Sequence, residues 1–102
     1  MMHILIPMSE ADEDAKIALI PDVKSWALVE VENTKIKKVT FYDDRDDIEE
    51  FIEAVVVKSK NDYLTPFFEE SIPVLEAPVQ VYIEDIVEAY MFRELFEVEV
   101  KF

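Results

Sequence analysis

The stretch WALVEVENTKIKKVTFY, residues 26–42, reads as two alternating strands joined by a tight turn, and the rest of the chain can be placed around it. With Asn33 and Thr34 as the turn, the pairing sets Glu32 opposite Lys35, Glu30 opposite Lys37, Leu28 opposite Val39 and Trp26 opposite Phe41. Opposite charges then meet, and aromatic faces aromatic. Thr34 is β-branched and strained at positive φ, so a wider turn over residues 32–35 is the alternative. The hairpin carries no reactive groups of its own.

Composition narrows the function before any motif is considered. The 102 residues suit one domain with a modest core, and a hydrophobic content of 51% predicts a folded chain. A formal net charge of −14 repels phosphate backbones and anionic membrane surfaces, so neither nucleic acid nor membrane is expected as a partner. The start, MMHILIPMSEADEDAKI, has an apolar run too short for a signal peptide or a membrane span, and the expected location is the cytoplasm. The chain contains no Gly and no Cys, where average usage of about 7% would give roughly seven glycines. Without Gly there is no P-loop, dinucleotide fingerprint or nucleophile elbow. Without Cys there is no disulfide, thiolate nucleophile or cysteinyl cluster site. The one histidine, His3, has no second His or Cys to share a metal, and is read as a strand-end residue at the surface.

In chain order, HILIP (residues 3–7) suits a strand buried on both faces in the middle of the sheet, ended by Pro7. SEADED (9–14) is a solvated connector, since a calcium loop would want a glycine and spaced oxygens. Residues 16–24 lead irregularly into the hairpin. Lys35, Lys37 and Lys38 protect an exposed edge and pair with Glu30 and Glu32; a docking patch for an acidic partner is the sharper reading. DDRDDIEEFIE (43–53) predicts a helix capped by Asp44, with Ile48, Phe51 and Ile52 on one face leading to Val55. Its four aspartates are adjacent instead of convergent, which argues against a two-metal nuclease centre.

AVVV (54–57) reads as a second buried strand parallel to the first. A helix follows, capped by Asn61 or Asp62 and running to about Glu70, with Leu64, Phe67 and Phe68 buried and Pro66 in its first turn. Ile72 to Leu75 gives a third short strand, which Pro73 confines to an edge or a strand start. Residues 82–95 form the clearest helix, with Ile83, Ile86, Val87, Tyr90 and Met91 at three- and four-residue steps. FEVEVKF (96–102) alternates strictly and closes the chain as a strand.

This order resembles the RNase H-like module of the dinitrogenase iron-molybdenum cofactor biosynthesis family. HILIP resembles its first strand, and WALVEVENTKI resembles F-L-I-x-D-V-E-N-G-K-I, with Thr34 at the turn glycine. AVVV, a helix, then Ile72, Pro73 and Val74 resemble V-V-I, helix, G-I-x-V. VYIEDIVEAYMFREL (81–95) resembles the closing helix T-V-E-E-A-L-E-A-F-L-x-G-E-L, with Arg93 replacing its glycine. The departures fall where members carry H-F-G, here Leu19, Ile20 and Pro21, and in the glycine-rich turn, here Lys58, Ser59, Lys60 and Asn61.

The resemblance, which covers most of residues 2–95, implies an RNase H-like α/β fold of three layers, α/β/α, with a mixed sheet (an antiparallel hairpin plus parallel strands); the alternation of residues 96–102 adds a C-terminal strand, and residues 1–102 form a single domain. It implies a small non-enzymatic carrier or accessory protein, with iron-molybdenum cofactor or a related metal cluster as the cargo and nitrogen fixation as the setting. No residue is carried over as catalytic, cofactor-binding or metal-ligating. The alternative is an acidic interaction module on the same fold, dimerising or binding a basic partner through residues 96–102 or its acidic helices, with no cofactor.

Overall fold

The computed structural model of the chain describes residues 1–99. Its strands are β1 (Met2–Met8), β2 (Ser25–Glu32), β3 (Lys35–Tyr42), β4 (Ala54–Val57), β5 (Val74–Glu76) and β6 (Phe96–Val98). They form one sheet in the order β3-β2-β1-β4-β5-β6. The hairpin of β2 and β3 lies antiparallel to its neighbours on one side, β1, β4 and β5 run parallel, and β6 returns antiparallel at the far edge. This is the mixed α/β arrangement expected, an antiparallel hairpin beside parallel strands. Of the strand expected over 96–102, residues 100–102 lie outside the described residues.

Alternation along the strands divides the core into two layers. Ile4, Ile6 and Met8 share one face with Ala27, Val29, Val31 and Val56, while Leu5 shares the other with Leu28, Val55, Val57 and Val74. Helix α1 (Thr65–Glu69) covers the second face with Phe67, next to Leu64. Helix α2 (Ile83–Met91) covers the first with Ile83, Ile86 and Val87. Burial on both faces explains why β1 reads as an unbroken apolar run. Pro7 does not end β1 but pairs within it with Trp26, and its carbonyl accepts from Ala18 N–H at 2.9 Å.

Three local expectations need correction. The hairpin turn is the two-residue one, with Asn33 at φ 53° and Thr34 at φ 64°, so Glu32 does face Lys35. Beyond it a β-bulge adds Lys37 to β3, and the partners become Glu30 with Lys38, Val29 with Val39, and Trp26 with Tyr42. Lys37 instead reaches Glu32 at 3.1 Å.

The second correction is that residues 43–53 form no α-helix. Asp44 does cap, accepting from Asp46 N–H at 2.9 Å, but the turn it starts is a 3₁₀ turn over Arg45–Asp47. Of the three residues expected on one helical face, Ile48 and Ile52 pack against the core on the α1 face, whereas Phe51 is 75% exposed. Distance is one reason. The segment must cross three strand spacings and step back along the sheet, on the order of 18 Å before any rise over the core, while eleven helical residues extend only about 16 Å. Like charges at three- and four-residue spacing oppose the helix as well.

The third correction concerns α1, which starts at Thr65 with Leu64 at its N-cap and Pro66 within the first two positions. Asp62 serves elsewhere: its carboxylate accepts from Ile20 N–H at 2.7 Å and from Tyr63 N–H at 2.8 Å.

Candidate functional site

On the α1 face, β1 and β2 set His3 directly opposite Glu30. Leu5 and Leu28 lie on the same face, so both polar side chains stand at the rim of that core layer, where the short α1 does not reach. His3 Nε2 lies 3.4 Å from Glu30 Oε1, and the two side chains are only 17% and 19% exposed. That spacing is longer than a well-formed N–H···O bond.

The crossing segment adds a third group. Ile48 and Ile52 anchor it to the core, and Glu53 N–H donates to the His3 carbonyl at 2.9 Å. Glu50, held between these fixed points, brings a carboxylate oxygen to the pair, and the three ligand atoms lie within 4.8 Å of one another. The local field is negative: burial, then Glu50, Glu49 and Glu30, push the nearby Tyr42 hydroxyl up from its ordinary range. One imidazole and two carboxylates form a donor set suited to a divalent cation. His3, read from sequence as a strand-end residue at the surface, does stand near the start of β1, but it is largely covered and lies beside two carboxylates. Its partners were hidden because the β1–β2 register is a long-range property, and because Glu50 was assigned to a helix.

The other acidic runs do not converge. Asp12 and Asp14 close a local turn, with Asp14 N–H donating to Asp12 Oδ1 at 2.8 Å. Asp43, Asp44, Asp46 and Asp47 stay at the start of the crossing segment, outside the His3 group. Arg45 is held instead by Glu70 through two hydrogen bonds of 3.1 and 2.7 Å, with its guanidinium 4.9 Å above the centre of the Phe67 ring.

An open groove of about 880 Å³ lies between the end of α2 and β6, lined by Tyr90, Arg93, Val98 and the strand starts at Ala54 and Val74. Burial, followed by Glu53, pushes the Tyr90 hydroxyl up. In open sheets with parallel strands, ligands bind beyond the carboxyl ends, so size alone does not mark this groove, which sits at the amino ends of β4 and β5. At the carboxyl ends lie the two segments where the sequence departs from the pattern it resembles, 19–21 and 58–61, the first tied to Asp62 just beyond the second. Ile20 N–H binds Asp62, and Lys60 N–H donates to Glu76 Oε2 at 2.7 Å. A groove of about 590 Å³ opens there, lined by Lys60, Asp62, Phe68 and Phe96.

Among the described residues, no helix is long and apolar enough to cross a membrane. No family model and no curated protein matches the chain. Solved structures do match it. The crystal structure of a candidate dinitrogenase from Methanocaldococcus jannaschii is similar with a TM-score of 0.70 and 16% identity, covering 99% of this chain and 100% of that one. The NMR structure of the same protein gives a TM-score of 0.73 at 16% identity, over 99% and 98% of the two chains. The NMR structure of a candidate NifB protein from Thermotoga gives 0.71 at 10% identity, over 100% and 97%. At such identities the likeness establishes the fold alone: the described chain folds as these proteins do.

Proposed function

We propose that this chain is a small, non-enzymatic accessory or carrier protein of the metal-cluster biosynthesis type, with iron-molybdenum cofactor or a related cluster as cargo. The observation that carries the reading is the full-length fold likeness to proteins described as a candidate dinitrogenase and a candidate NifB. Fold alone does not assign function, so the reading draws on the local arrangement as well. Ile20 of the 19–21 segment meets Asp62, just beyond the 58–61 turn, at the carboxyl ends of the parallel strands, and Lys58 and Lys60 supply positive charge there in a chain of net charge −14. Anaerobic titration with isolated cofactor, followed by ultraviolet-visible and EPR spectroscopy, tests the role. Saturable binding at micromolar protein, weakened by a Lys58→Glu, Lys60→Glu double variant, is expected; absence of binding removes the carrier role.

A second reading, an interaction module, is favoured by β6. It is an edge strand, and Phe92 and Phe96 beside it are exposed. Strand addition at such an edge joins chains. Light scattering on the full chain and on a chain ending at Leu95 separates the cases: a dimer that the truncation dissolves supports this role, and a monomer in both removes it.

A further inference from the structure

From the geometry we infer that His3, Glu30 and Glu50 form a mononuclear site for a divalent first-row transition ion, of which Zn²⁺ is the probe. The inference stands apart from the cargo role, because the group lies on the α1 face near the start of β1, away from the Lys58 and Lys60 end. Zn–N and Zn–O bonds of 2.0–2.2 Å set a tetrahedral ligand-to-ligand edge of about 3.4 Å. His3 Nε2 and Glu30 Oε1 already stand at 3.4 Å, fixed on paired strands of the sheet. The third oxygen lies within 4.8 Å on Glu50, an exposed side chain free to swing inward by roughly the difference of the two separations. Two carboxylates and one neutral imidazole balance the charge of a divalent ion, and the open side leaves the fourth position to water. Nitrogen in the set selects against Mg²⁺ and Ca²⁺, which prefer all-oxygen shells.

Because His3 is the chain's one histidine, its ring reports on this site alone. The test is a titration of chelator-washed full-length protein with ZnCl₂, read by the ¹⁵N and ¹H signals of the imidazole and by calorimetry. The expected result is a coordination shift of Nε2 that saturates at one equivalent, an affinity lowered at least about tenfold in Glu50→Gln, and no movement of the ring with CaCl₂. Glu50 is exposed, so this variant keeps the fold. Imidazole signals that stay in place while surface acids take up zinc overturn the site, as does an unchanged affinity in Glu50→Gln. An equal response to calcium overturns the assignment to a transition ion.

Discussion

Among the described residues, four hold positive φ: Asn33, Thr34, Ser71 and Arg93. Thr34 and Arg93 stand where the resembling family has glycine, and Ser71 precedes Ile72 at the glycine of G-I-x-V. These left-handed positions are therefore held without glycine, the residue that favours them. Ser71 and Arg93 each close a helix in a Schellman motif: Ser71 N–H and Ile72 N–H bind the carbonyls of Phe68 and Phe67, and Arg93 N–H and Glu94 N–H bind those of Tyr90 and Ala89. A side chain at such a site costs about 1 kcal/mol, and more when it is β-branched. Thr34→Gly, Ser71→Gly and Arg93→Gly should each raise the urea midpoint by the equivalent of about 1 kcal/mol, Thr34 most; unchanged midpoints would remove the strain. The Arg45–Glu70 pair predicts a pH effect. Its hydrogen bond to Arg45 holds the Glu70 carboxyl below its ordinary range. Its contribution is therefore complete above that range and fades as pH falls through the lowered value. Half-exposure of Glu70 keeps the pair at or below about 1 kcal/mol. The stability gap between the wild type and Glu70→Gln should be constant near neutrality and close in acid; a gap that widens in acid contradicts the pairing.

At the scale of elements, period and length decided what could be read in advance. The apolar runs of β1 and β4, the stripe of α2 and the strands of the hairpin are local and appear where the sequence places them, except that α2 ends at Met91, four residues short of the helix expected to Leu95, because the chain turns left-handed at Arg93. The bulge was also legible, although the simple pairing missed it. Ile36, Val39 and Phe41 all belong to the α2-face layer, yet Ile36 and Val39 are an odd number apart, so one residue must be extra. Deleting Lys37 should restore a regular ladder with the same inward residues and change stability by less than about 1 kcal/mol, losing only the exposed contact with Glu32. Deleting Thr40 turns Phe41 and Tyr42 to opposite faces and should cost about 2 kcal/mol or more. Equal effects in thermal unfolding would contradict the bulge. Residues 43–53 failed for a different reason: their amphipathic spacing is real, but the distance to be crossed is set by strand order, which no local window contains. The His3 group was illegible for that same reason, since Glu50 reaches it only on the extended path. In α1, Phe67 is buried, with its ring edge-on to Trp26 at 6.1 Å between centroids. Phe67→Ala should cost about 3–5 kcal/mol.

For the whole molecule, 24 acidic residues face 10 Lys and Arg, and the ion pairs among the described residues are few: Lys37 with Glu32, Arg45 with Glu70, and His3 beside Glu30. Most of the negative charge is thus unpaired on the surface, where folding concentrates it and raises its self-repulsion. The three lysines of β3 set positive charge along one edge of the sheet, which both discourages strand pairing there and offsets the excess locally. At the opposite edge, β6 carries Glu97 between the exposed Phe96 and the half-buried Val98, so the two edges differ in charge and in apolar surface. Salt separates repulsion from pairing. Raising ionic strength from about 0.01 M to about 0.15 M shortens the screening length from about 30 Å to about 8 Å, which relieves long-range repulsion across the molecule while weakening a few contacts of 3–4 Å much less. The thermal midpoint should therefore rise with NaCl, with most of the rise complete by about 0.15 M. A midpoint that falls over this interval would mean that specific pairs outweigh the net charge, and that the acidic surface is better neutralised than its composition implies.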